Sequence, residues 1–115
     1  MDEKLQKALE FSNYTVTLNN QRRILKEKYN EELILYYNNG KFTVTQAFFT
    51  FVSSLVSMNV EQTVIVDDND TPIQIEDTVS FFENVKHAYV TATNKYLDEF
   101  QELRKKRNVQ GLVDV

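Results

Sequence analysis

The chain has 115 residues, 17 acidic against 13 basic side chains, a net charge of −4, one His and no Cys. That inventory excludes disulfide frameworks, thiolate zinc sites, cysteine nucleophiles, and any triad or metal site needing several histidines from one chain. The length suits one domain with its own core, and the acidic balance argues against a broad face for duplex nucleic acid.

No apolar run follows a basic N-terminal segment, and no stretch of about 18 apolar residues occurs, so a soluble, non-secreted protein without a membrane partner is expected. Two Gly and one Pro favour helices over an all-β chain. The charge is uneven. Residues 1–40 balance to zero, residues 41–78 set Lys41 against six carboxylates, and residues 79–115 come to +1.

From Asp2 to about Asn38 the spacing predicts a helix, with Phe11, Tyr14, Leu18, Leu25, Tyr29 and Tyr36 close to a three-four repeat and Leu5, Leu9 and Ile24 beside them. "SNYTVTLNN", Ser12–Asn20, is poor in helix formers and admits a kink. "NNG", Asn38–Gly40, reads as the helix C-terminus, and "TVTQ", Thr43–Gln46, as a capping box opening a second helix. The alternative is a short strand at Lys41–Val44. Helix two runs to about Asn59 and is apolar around most of its circumference: Phe48, Phe49, Phe51, Val52 and Leu55 are either the buried centre or a candidate interface.

"VIVDDNDTPIQIED", Val64–Asp77, predicts a β-hairpin at about 63–76 with a two-residue turn at Asn69–Asp70. That register sets Val66 against Ile73 and Val64 against Ile75 on one side, with Ile65 against Gln74 on the other. It leaves Asp67, Asp68 and Asp70 at the tip, in water. Asp77 or Thr78 then caps a third helix to about Asn108, with Phe82, Val85, Tyr89, Ala92, Tyr96 and Leu103 in a seven-residue rhythm, and 109–115 forms a tail. The expected fold is mainly α, with two long antiparallel amphipathic helices, a shorter apolar helix and one hairpin. Two helices of about 50 Å cannot both hide in a compact globule of this length. Either they pair as an elongated hairpin with helix two and the β-hairpin at one end, or helix one breaks near Ser12–Asn20.

Chemistry-bearing motifs are scarce. An EF-hand loop starting at Asp67 would need Gly at Pro72 and Glu at Thr78, and one starting at Asp68 fails likewise at Ile73 and Val79. His87 stands alone, near the edge of an apolar stripe, and the two glycines form no phosphate-cradling loop. Paired acids such as Glu99 and Glu102 lie on mixed-charge helix faces. No enzyme, cofactor or metal is expected. The basic run Arg104, Lys105, Lys106 and Arg107 offers weak phosphate contacts, but on a helix these cations point in all directions, and they suit the helix dipole. Nucleic acid is therefore an unfavoured partner.

"KALEFSNYTVTLNNQRRILKEKY", "NNGKFTVT", "DDNDTPIQIED" and "ATNKYLDEFQELRKKRNVQGLVD" resemble, in this order, a small protein of T-even-type myophages infecting marine cyanobacteria. The resemblance covers most of the chain but brings no catalytic or binding residue with it. Such proteins commonly have Gly where this chain has Asp70, a departure that weakens the turn slightly. The resemblance implies a phage protein acting in the host cytoplasm during infection or in the virion. Excess apolar surface on helix two, long helices and a hairpin edge point to association. The leading expectation is a structural or assembly protein that self-associates, such as a head-core, scaffold or virion component. The alternatives are a regulatory adaptor on a host or phage enzyme and a nucleic-acid accessory factor.

Overall fold

The computed structural model describes the backbone of residues 2–113 and the side chains of residues 2–106. The chain is mainly helical with minor β structure: α1 (Glu3–Glu32), β1 (Ile34–Tyr37), β2 (Gly40–Thr43), α2 (Gln46–Ser57), β3 (Thr63–Val66), β4 (Pro72–Ile75) and α3 (Thr78–Val113). It divides into two compact units, one within residues 1–28 and 95–115, the other within 29–94.

The first unit pairs the long helices. α1 is unbroken through Ser12–Asn20, so the kink that weak propensity allowed does not form. Thr15 Oγ1 and Thr17 Oγ1 donate to the carbonyls of Phe11 and Asn13 one turn back, which lets both hydroxyls stay inside the helical pattern. Leu18 and Leu103 are buried. Lys28 Nζ meets Glu99 Oε1 at 2.9 Å, and the Arg22 guanidinium lies 5.9 Å from the Phe100 ring centre. α3 continues to Val113, past the end expected at Asn108, so the expected tail is helical that far; its last two residues lie outside the described ones.

The second unit holds both hairpins, α2 and the start of α3. Its core is Phe42, Val44, Val52, Ile65, Ile73, Ile75, Phe81 and Val85. Phe81 is the hub, with ring centres of Tyr37, Phe42 and Phe48 at 5.0, 5.4 and 6.2 Å. Tyr29 and Thr93 share a 2.9 Å hydroxyl–hydroxyl bond.

Two hairpins stand where one was expected. α1 stops at Glu32, and the apolar run after it becomes β1, paired antiparallel with β2. The physical reason lies in "NNG". Asn38 and Asn39 both take positive φ, 47° and 65°, which is the two-residue type I′ turn and not a helix end. Thr43 therefore belongs to a strand, and the N-cap of α2 is Thr45, whose Oγ1 accepts from Phe48 N at 3.1 Å. α2 closes in a Schellman motif: Val60 N donates to Leu55 O, Asn59 N donates to Val56 O, and Asn59 takes φ 60°. Asp77 caps α3 through Ser80 N at 3.1 Å.

The second hairpin is where expected, but its register is shifted by one residue. Ile65 pairs with Ile73 and Val64 with Gln74, so Ile65, Ile73 and Ile75 are buried while Val64 and Val66 face out. The loop has three residues and not two: Asp70 N donates to Asp67 O, Asp67 N donates to Thr71 O, and Asp70 sits at φ 60°. This is a type I turn closed by a left-handed residue.

The hairpins approach closely at Gly40, where an added Cβ would lie 2.6 Å from Ile73 Cγ1 and 3.0 Å from Phe42 Cε2. Gly40→Ala is expected to cost about 1–3 kcal/mol by overpacking. Asn39→Gly, one position away, relieves a left-handed side chain and is expected to add up to about 1 kcal/mol. Urea melts of the two variants check both signs, and a neutral Gly40→Ala would contradict the close approach.

Candidate functional site

The densest polar arrangement in the second unit is built by Asp67 and Asp68. The ladder between β1 and β2 leaves the N–H and C=O of Lys41 and Thr43 pointing away from β1, an unpaired sheet edge. The acidic dipeptide fills it. Asp67 Oδ2 accepts from Lys41 N at 2.9 Å, and Asp68 N donates to Lys41 O at 2.8 Å. Asp68 Oδ1 accepts from Thr43 N at 3.3 Å, and Asp68 Oδ2 from Thr43 Oγ1 at 2.6 Å. Two carboxylates and one amide thus stand where a third strand would lie.

Asp67 also organises its own loop. Its Oδ1 accepts from Asn69 N and Thr71 N, each at 2.9 Å, an Asx turn carried one bond further. The residue is only 7% exposed, which corrects its expected place in water; Asp68 and Asp70 are exposed, but Asp68 is tied to β2. The N–H of Lys41, then that of Thr71, and to a smaller degree that of Asn69, stabilise the charged form and hold the Asp67 carboxyl below the usual aspartate range, against the opposing effect of burial. Such a carboxylate is an acceptor without a proton to give at neutral pH. Its chemistry here is that of a clasp.

The other sequence candidates fall as follows. Val52 is fully buried and Phe48, Phe49 and Leu55 pack against the core, so four of the five proposed interface residues are engaged within the chain. Phe51, 49% exposed, is the one that faces out. Much of the apolar surface of α2 is used within the chain, because one side forms the core and Phe49 packs on Phe82 and Tyr89. Arg104, Lys105 and Lys106 are exposed, and Lys105 pairs with Glu102 at 3.4 Å. Consecutive helical residues are about 100° apart, so these three form no single stripe. The Arg107 side chain lies outside the described residues. Lys106 instead borders a groove of about 320 Å³ between α1 and α3, floored by Ile24, Leu25 and Leu103. His87 is exposed.

Among the described residues, no three His, Cys, Asp or Glu side chains come together in a way that could hold a metal, and no helix is long and apolar enough to cross a membrane. No protein-family model matches the chain, and neither a curated protein nor a solved structure matches it.

Asp67→Asn keeps the shape but puts an NH₂ against one of the N–H donors. We expect Tm to fall by roughly 5 °C or more at pH 7. Because the folded pKa of Asp67 is depressed, its contribution is complete above the unfolded aspartate value of about 4 and is lost as pH falls below it through the folded value. Thermal melts from pH 7 to pH 2 should therefore show the two proteins converging in acid. A gap that persists undiminished to pH 2 would contradict the clasp's charged form.

Proposed function

We propose that this chain is a non-enzymatic structural or assembly protein that associates with copies of itself through α1. One observation carries the reading. Leu5, Leu9 and Val16 are 52%, 46% and 55% exposed. At helical spacing they fall within about 40° of one another, on the side of α1 opposite Leu18 and Leu25. A helix that is apolar on two sides has a second surface to bury.

A second copy suits this stripe on two grounds. Residues 2–17 hold Asp2, Glu3 and Glu10 against Lys4 and Lys7, close to neutrality, so no strong field selects an oppositely charged partner. An antiparallel pairing of the stripe with itself also sets Leu5 of each copy against Val16 of the other, with the two Leu9 side chains near the centre, a self-complementary contact. Burying what remains exposed of six aliphatic side chains is worth about 5 kcal/mol, at the low end of what association costs. The product is a weak, concentration-dependent contact, suited to an assembly in which many copies are held together. The resemblance to a myophage protein supports a setting such as a head core, scaffold or virion.

Sedimentation from about 10 μM to 1 mM tests the reading. Average mass should rise with concentration and persist in high salt. The combined Leu5→Gln, Leu9→Gln and Val16→Gln variant should stay monomeric with unchanged helix content. A monomer at all concentrations, or equal association of the variant, would remove the basis of the proposal.

A further inference from the structure

The two small sheets have four outer edges, and these are treated differently. That of β2 is filled by Asp67 and Asp68. That of β4 is blunted, because Pro72 has no N–H and Gln74 O accepts from Asn38 Nδ2 at 2.9 Å. That of β1 carries the outward N–H and C=O groups of Ile34 and Tyr36, which meet no hydrogen-bond partner among the described residues. The edge of β3 is open as well among the described residues, and it has carboxylates beyond both of its ends. The bond from Asp67 N to Thr71 O fixes the alternation of the ladder and turns the N–H and C=O of both Val64 and Val66 away from β4. Among the described residues, no backbone or side-chain partner meets them, and the two residues are 60% and 58% exposed. Four free backbone groups and two outward valines share one short edge.

We propose that the outer edge of β3 is a docking site for an extended segment of a protein partner, apolar at alternate positions and flanked by Lys or Arg. An added strand would satisfy the outward N–H and C=O groups of Val64 and Val66 and lay its own side chains beside the two valines. Charge decides the occupant. From Glu61 to Asp77 the chain carries six carboxylates and no Lys or Arg. Glu61 lies before β3, and Asp68 and Asp70 lie after it, so both ends of the edge are acidic. A second copy pairing antiparallel along β3 would bring Glu61 of each protomer toward the acidic loop of the other. That juxtaposition disfavours self-pairing and favours a basic-flanked segment. This site is separate from the stripe on α1, and neither needs the other.

The test uses the full chain and a synthetic peptide, Lys-Lys-Val-Thr-Val-Thr-Val-Lys-Lys, with a Glu-flanked counterpart of the same core. Amide NMR should show peptide-induced shifts centred on Val64 and Val66, with slowed exchange of those two amides. Binding should weaken at least tenfold with the Glu-flanked peptide. Val64→Pro, which removes an outward N–H without breaking a bond to β4, should abolish it. If that variant misfolds, Val64→Lys with Val66→Lys serves instead, repelling the basic peptide while keeping the backbone. Absence of binding at millimolar peptide, equal binding of the Glu-flanked peptide, or shifts located elsewhere would overturn the proposal. So would protection of Val64 and Val66 in the free protein at high concentration, which would make a second copy the occupant.

Discussion

Two-stranded sheets are marginal on their own, and the second unit contains two of them. What joins them is the capture of a bare strand edge by two carboxylates. Lys41 and Thr43 would otherwise leave two N–H groups and a carbonyl without partners beside a packed core. Asp67 and Asp68 supply acceptors for both N–H groups, and the Asp68 amide supplies the donor for the carbonyl. The same contact aligns the hairpins so that Gly40 can sit on Ile73 and Asn38 can reach Gln74. Phe42, Ile73 and Ile75 then present one apolar surface to Phe81 and Val85. Hydrophobic burial supplies the gross driving force, while the clasp sets which residues are buried.

Local patterns were legible where the determining interactions are local. The two long helices, α2 and the existence of the β3–β4 hairpin follow from periodicity and turn residues. The mainly helical class follows with them. The register of β3 and β4 was not legible, because it depends on Asp67 facing inward to meet Lys41, a partner 26 positions away in sequence. Without that partner, a two-residue turn that buries Val64 and Val66 reads equally well. The first hairpin was hidden for a different reason. Asn-Asn-Gly serves a helix end and a type I′ turn alike, and only the pair of positive φ values at Asn38 and Asn39 separates them. The apolar run Leu33–Tyr37, rich in strand-forming residues, was the signal that should have ended α1 earlier.

The candidate site shows the same division. Acidity in the middle of the chain is plain from composition, but a carboxylate in water and a carboxylate accepting three N–H groups have the same letters. The apolar excess of α2 is absorbed by the core, so the association surfaces lie elsewhere: on the outer side of α1 and along β3. Both are places where the fold leaves groups unpaired after pairing their neighbours. The sequence spacing set Leu5 and Leu9 beside the core stripe of α1, and their place on its outer side follows from their exposure. The open edge of β3 emerges only once the register of its hairpin is known.

Amide hydrogen exchange at single-residue resolution tests the clasp most directly. Lys41 and Thr43 lie on the outer edge of a two-stranded sheet and would ordinarily exchange fast, as Val64 and Val66 should. With the clasp in place, Lys41 and Thr43 should be protected to nearly the same degree as the ladder amides, while Val64 and Val66 exchange freely. Equally fast exchange at all four positions would mean that the carboxylates do not hold the edge of β2, and the link between the hairpins would have to be sought in side-chain packing alone.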